Sequence, residues 1–301
     1  MRLRFFVPVL LFCCVFLRVD TALASVTSDD FLTALAKNDM SGLKLTLLGG
    51  FDVNGVLEGT ARKLTPLMEA IRQANPEIVK VLLDFGADVD KVSDGTAETP
   101  PLEYAVILSV FPSSPNISLE RRGNAVEIVD MLLAHNADVN FVNLFGSMPL
   151  IAAINGLDSE SSLALTKRLI AAGADVNPAM PPEKMSPLMW AVLTALITEF
   201  ERGDNRTESV KTLLDAGADP NTRIDGMTAL HMVVSAEREI NDMLSGTGQP
   251  AGYSSHISYE ITEVLLRSGA DKYAKDKDGR TPFDVAMENR DLSLSTLLAV
   301  W

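Results

Sequence analysis

Apolar residues along this chain fall into short stretches with helical spacing, each closing on paired aliphatics: Ile78-Val79-Lys80-Val81-Leu82-Leu83, Ile128-Val129-Asp130-Met131-Leu132-Leu133 and Val210-Lys211-Thr212-Leu213-Leu214. Apolar positions three and four apart lay one stripe along a helix, so each stretch predicts an amphipathic helix. A short phrase follows these stretches: Gly50-Phe51-Asp52-Val53-Asn54, Gly86-Ala87-Asp88-Val89-Asp90, Asn136-Ala137-Asp138-Val139-Asn140, Gly173-Ala174-Asp175-Val176-Asn177, Gly217-Ala218-Asp219-Pro220-Asn221 and Gly269-Ala270-Asp271. Next comes a polar loop, and then Thr65-Pro66-Leu67 or a variant: Pro100-Pro101-Leu102, Met148-Pro149-Leu150, Ser186-Pro187-Leu188, Thr228-Ala229-Leu230 and Thr281-Pro282-Phe283. The recurrence predicts a stack of like units, each of two antiparallel helices and a turn.

The phrase has a physical basis at both ends of the helices. The glycine stands just past the second helix, where a left-handed residue closes the helix end without strain. Asn136 takes that place once, and asparagine is the next most tolerant of positive φ. Thr65, Ser186, Thr228 and Thr281 stand where a hydroxyl caps the first helix, and a following proline at the first helical position costs no hydrogen bond. Pro100 and Met148 lack that hydroxyl, so their repeats are predicted to be locally weaker by about 1 kcal/mol each.

In these motifs the chain resembles the ankyrin repeat, from about Asp30 to Ala299. The resemblance implies an all-α solenoid of about six to seven helix-turn-helix repeats, with Asp29–Asn54 as an atypical first unit and Asp278–Trp301 as the last. Such repeats run at about 33 residues, whereas successive phrase aspartates here are spaced 36, 50, 37, 44 and 52 apart. With the 23 residues from Thr65 to Asp88 as standard, the third to sixth repeats carry about 15, 4, 10 and 20 extra residues between their helices. A stack would line these insertions along one edge, a place where binding faces often form. Phe111-Pro112-Ser113-Ser114-Pro115 and Gly246-Thr247-Gly248-Gln249-Pro250-Ala251-Gly252 read as loops, while Met189–Gly203 has few breakers and reads as a lengthened first helix.

The N-terminus follows other rules. Arg2 and Arg4 precede an apolar run of 13 residues, Phe5–Leu17, and Ala22-Leu23-Ala24 offers a small-residue cleavage site. This reads as a signal peptide over residues 1–24, leaving 25–301 as the repeat domain; the run is short of the roughly 20 residues a membrane span needs. Both cysteines lie in that segment, so the mature chain would hold no thiol, disulfide or thiolate metal site. A cysteine-free exported chain fits a bacterial periplasm better than an animal extracellular space. Cleavage would remove three arginines and one aspartate, moving the net charge from −14 to −16. Such a charge disfavours nucleic acid and anionic membranes.

Candidate chemistry is sparse. Of three histidines, His231 matches a structural position of the family, His135 ends a second helix, and His256 falls in the longest insertion. Asp276-Lys277-Asp278-Gly279 has a calcium-loop flavour but has Ala274 where a ligand is needed, and reads better as a turn between repeats. No phosphate loop, nucleophile elbow or metal motif appears, so the expectation is a non-enzymatic module without cofactor. What the resemblance implies is a monomer that grips a protein partner by its turn tips and inner helices. The turn Phe141-Val142-Asn143-Leu144-Phe145-Gly146 departs from the polar norm, which makes Phe141, Leu144 and Phe145 candidate contacts. Trp190, Tyr104 and Glu69 share one position of the first helix; Trp190 and Tyr104 read as core or half-buried and Glu69 as facing solvent in the groove, and Glu69 and Trp190 join the candidate partner contacts. An inhibitor or immunity-type binder of one exported enzyme or toxin is a narrower alternative, and a helper delivering haem is another. The apolar end, Leu292 to Trp301, leaves end-to-end pairing as an alternative to the monomer.

Overall fold

A computed structural model describes residues 26–59, 62–92, 99–111, 118–178, 185–202, 206–244 and 256–301. Among these residues there are fourteen helices and no strand. They pair in chain order into seven repeats: α1 (Ser28–Ala36) with α2 (Met40–Leu48), α3 (Pro66–Gln73) with α4 (Pro76–Asp84), α5 (Pro101–Val110) with α6 (Leu119–Ala134), and α7 (Pro149–Ile154) with α8 (Ser159–Ala171). The remaining pairs are α9 (Pro187–Arg202) with α10 (Thr207–Asp215), α11 (Ala229–Leu244) with α12 (His256–Arg267), and α13 (Pro282–Glu288) with α14 (Leu292–Val300). The first helices from α3 to α13 pack side by side as one row. Second helices form a row behind them, from α4 to α6 and from α8 to α14.

The helix ends follow the sequence rules. Gly50, Gly86, Gly173, Gly217 and Gly269 have φ between +83° and +95°, and Asn136 takes the same role at +61°. Thr65 accepts from the Met68 amide, Ser186 from the Met189 amide, and Thr27 and Thr281 form reciprocal capping boxes with Asp30 and Asp284. No side-chain cap is found at Pro100 or Met148. The core runs continuously from Phe31 to Leu298 through the paired aliphatics, because no repeat can bury its own stripe alone.

A polar ladder ties neighbouring repeats together. Each phrase asparagine accepts a hydrogen bond from the next repeat's aspartate N–H and donates to the carbonyl two residues before it. Asn54 does so with Asp88 (2.7 Å) and Gly86 (3.1 Å), and Asn140 with Asp175 (2.7 Å) and Gly173 (3.2 Å). Asn177 and Asn221 repeat the pair with Asp219 and Gly217, then Asp271 and Gly269. In the second repeat the rung is Asp90, which accepts from the Asp138 amide at 2.8 Å but as a carboxylate has no hydrogen to give.

Where described, the insertions are mostly helix. The second helices α4 and α10 have 9 residues each, whereas α6 has 16 and α8 has 13; the first helices α9 and α11 also reach 16. The lengthened start of α6 turns back on the preceding repeat: the Arg121 guanidinium donates to the Arg72 carbonyl at 2.5 Å and the Asn124 amide to that of Ala74 at 3.1 Å. Arg206, just before α10, likewise donates to the Gly156 carbonyl at 2.7 Å. These carbonyls lie at ends of first helices, where acceptors need partners. The expected edge of loops is therefore corrected in part to an edge of helix extensions that close the neighbour's helix ends. Residues 112–115 and 246–252, read as loops, lie outside the described residues, as does the proposed signal segment. His256, placed in an insertion by the sequence, opens α12.

Candidate functional site

The turn before α7 is built on Asn143. Its N–H donates to the Ser147 carbonyl and its carbonyl accepts from Gly146 N–H, both at 2.9 Å, while Gly146 sits at φ +74°. The Asn143 side-chain oxygen accepts from the amides of Phe145 (2.9 Å) and Ser147 (3.0 Å). Its Nδ2 donates to both oxygens of Glu103 on α5, at 3.1 and 3.0 Å. Burial pushes the Glu103 carboxyl up, opposed by hydrogen bonds from Ser147 and Asn143.

This frame leaves Leu144 70% and Phe145 69% exposed, with Val142 at 46% and Phe141 half-buried at the base. Leaving Phe145 and Leu144 largely in water forgoes roughly 1–2 kcal/mol each in burial. The turn before α13 has the same frame: Asp276 N–H to the Arg280 carbonyl at 2.9 Å, Gly279 N–H to the Asp276 carbonyl at 3.0 Å, and Asp276 Oδ1 accepting from Asp278 and Arg280 amides at 2.9 Å. There the exposed tip residues are Lys277 and Asp278. The backbone of the fourth repeat's turn thus does not require apolar residues at its tip.

The other sequence-chosen residues lie apart from this tip on the row of first helices. Trp190 on α9 and Tyr104 on α5 are half-buried against the core, as the sequence suggested. Glu69 corrects the expectation that it faces solvent: it is only 7% exposed, bound to the Arg72 guanidinium at 2.6 and 2.8 Å and to the Gln73 amide at 2.9 Å. Burial opposes its ionisation, yet these hydrogen bonds and the charges of Arg72 and Arg62 hold it below the ordinary glutamate value. The helical spacing of Glu69, Arg72 and Gln73 was the signal that could have revealed this cage. Glu103 carried no such signal, since its partner stands 40 residues away.

His231 is buried and bonded on both sides, through Nδ1 with Thr228 (2.9 Å to the hydroxyl, 3.2 Å to the amide) and through Nε2 with the Arg280 carbonyl of the next turn (3.1 Å). Both ring nitrogens are committed to holding repeats together, as the family position implies. His135 caps α6 and lies 2.9 Å from the Met131 carbonyl. Asp276 turns one oxygen to backbone amides and the other to Arg280, which also holds Asp278 and Glu288. Among the described residues no three His, Cys, Asp or Glu side chains gather in a possible metal site. No helix among them is long and apolar enough to cross a membrane.

Comparison with known proteins agrees with this architecture. Family models for ankyrin repeats match residues 62–94 as one copy and 117–223 as three. Curated relatives include an ankyrin repeat and KH domain-containing protein of Caenorhabditis elegans, 26% identical over 78% of this chain and 10% of its own length. A mitochondrial disaggregase of Bos taurus is 28% identical over 62% of this chain and 23% of its length, so the chain spans about a quarter or less of these two relatives. An ankyrin repeat domain from Acinetobacter baumannii shares the fold with a TM-score of 0.56 at 24% identity, covering 78% of this chain and 96% of its own. A chain from a complex of a predatory endopeptidase with an immunity protein, from Bdellovibrio bacteriovorus, gives 0.51 at 22%, covering 78% and 97%.

Proposed function

Because the chain is an ankyrin-repeat array, a scaffold typically used for non-enzymatic binding of other proteins, we propose that it is an exported protein-binding module whose principal contact is the turn from Phe141 to Ser147. One observation carries the placement: two turns with the same hydrogen-bonded frame present Lys277 and Asp278 in one case and Leu144 and Phe145 in the other. Exposed aromatic and aliphatic side chains on a rigid frame are the anchors that protein interfaces favour. Trp190 and Tyr104, half-buried in the row of first helices, are secondary contacts in this reading. Glu69 shapes the floor and does not face the partner, since Arg72 and Gln73 occupy its oxygens. Export rests on the basic start, apolar run and small-residue site of the first 24 residues.

The test is affinity capture from an extracytoplasmic fraction with the wild-type protein and a Leu144→Asp, Phe145→Asp variant. Both replaced side chains are mostly in water, so folding should be unaffected, and circular dichroism checks this. A protein held by the wild type and lost by the variant supports the placement, whereas equal capture by both removes it. The narrower reading, an inhibitor of one exported enzyme, separates from a general scaffold by stoichiometry: one partner, bound one to one, with its activity blocked.

A further inference from the structure

Glu103 is only 1% exposed in the first turn of α5, and the side chains that bond it, Asn143 and Ser147, are neutral. Among the described residues no cation is paired with it, and a buried carboxyl group held by neutral partners alone is costly. It stands three residues after Pro100, as His231 stands three residues after Thr228, and both reach into the following turn. His231 bonds the turn's backbone. Glu103 instead holds a side chain, the amide of Asn143.

That difference matters because a side-chain amide has a donor end and an acceptor end of nearly the same shape. Only with Nδ2 turned down toward α5 does Oδ1 point up at the amides of Phe145 and Ser147. An ionised carboxylate accepts and never donates, so beneath Asn143 it permits one orientation alone. In the seventh repeat's turn no such selector is needed, because Asp276 accepts with either oxygen and Arg280 neutralises it. The acid of the tip has in effect moved from the turn to the helix beneath it, leaving the tip free of charge.

We propose that Glu103 is the positioning residue of the 141–147 turn: it fixes the orientation of the Asn143 amide and so sets where Leu144 and Phe145 are presented. Its consequence for partner capture rests on the binding reading above, whereas the order of the turn can be measured without any partner.

The experiment is residue-resolved amide hydrogen exchange by NMR on the full chain, in the wild type, Glu103→Gln and Glu103→Leu. Leucine removes both acceptors while relieving the buried charge, whereas glutamine keeps one acceptor for Nδ2 and brings a donor beside it. Exchange at Phe145 and Ser147 should rise about fivefold in Glu103→Leu, the loss of one net hydrogen bond each, and by a smaller factor in Glu103→Gln, with exchange in α5 and α7 changing less. A Glu103→His, Asn143→Asp, Ser147→Arg triple variant rewrites the seventh repeat's set and should restore protection at residue 145. Unchanged protection of Phe145 and Ser147 in both single variants overturns the proposal, and so does an equal loss across α5, the turn and α7, which marks a merely structural residue. Loss of turn order with partner capture intact leaves Glu103 as the positioning residue and overturns the binding reading instead.

Discussion

Asp90→Asn should stabilise the array, because it completes a rung that four other repeats already possess. At Asn54, Asn140, Asn177 and Asn221 the side chain both accepts from the next repeat and donates back to it, with donor distances from 2.8 to 3.2 Å. Asp90 accepts from Asp138 N–H at 2.8 Å but has no amide hydrogen to offer the Asn136 carbonyl. Asparagine adds that bond, worth about 1 kcal/mol net. It also removes repulsion from Asp88 and Asp138, a few tenths more at a half-buried site. The total of roughly 1–1.5 kcal/mol corresponds to about 2–6 °C in melting temperature for a domain of this size.

The pH dependence has a definite sign. Burial above all, then the charges of Asp138 and Asp88, raise the Asp90 carboxyl above its ordinary value in the folded chain, against the pull of the Asp138 amide. A folded-state value above the unfolded one means that ionisation costs stability, a cost fully present at neutral pH and relieved as pH falls through the folded value. Protonated Asp90 also gains an O–H that can donate as asparagine does. The advantage of Asp90→Asn should therefore be largest near pH 7 and shrink through the acidic carboxylate range. Urea unfolding of both proteins between pH 4 and 8 measures it, with Asn140→Asp as the converse, expected to lose a similar amount. A neutral or destabilising Asp90→Asn at pH 7, or an advantage that does not vary with pH, refutes the ladder as an energetic unit.

Three other outcomes follow from the structure. His231→Ala should cost about 2–3 kcal/mol by denaturant titration, since it unpairs the buried Thr228 and the Arg280 carbonyl. Burial holds His231 below the ordinary value of 6.5, so the wild type should lose stability as pH falls below 6.5, and the variant should lack that component. Gly156→Ala should destabilise by roughly 1–3 kcal/mol, because a Cβ there would lie 2.4 Å from both Ser162 Oγ and Val110 Cβ; thermal unfolding that matches the wild type would contradict this packing. Leu144→Asp with Phe145→Asp should leave the melting temperature within about 2 °C while abolishing capture of the partner.

Helix ends and repeat boundaries were legible in the sequence because their physics is local. A glycine past a helix, a hydroxyl before one and a proline after it act on backbone within a few residues, and Asn136 in a glycine's place was readable for that reason. Lengthening of α9 was legible from its lack of breakers, whereas that of α6 was hidden by Gly123 and by the polar run Glu120–Asn124. What could not be read depends on distant partners. The ladder joins residues 32 to 50 apart, and the role of Glu103 depends on an asparagine one repeat on. Glu69 is a different miss: Arg72 and Gln73 stand at helical neighbour spacing, but the burial of Glu69 itself comes with the packing of α3 against α5.

The ladder also determines how the molecule would carry load. Every rung links a repeat to its immediate neighbour, so tension applied to the two ends passes through the rungs in series and the softest one bears the same force as the rest. The softest rung is the one at Asp90, between the second and third repeats, where the Arg121 and Asn124 bonds to the carbonyls of Arg72 and Ala74 reinforce the same junction. Stretched, the ladder would give way at that rung first, and the helix extension of α6 would be left to hold the second and third repeats together.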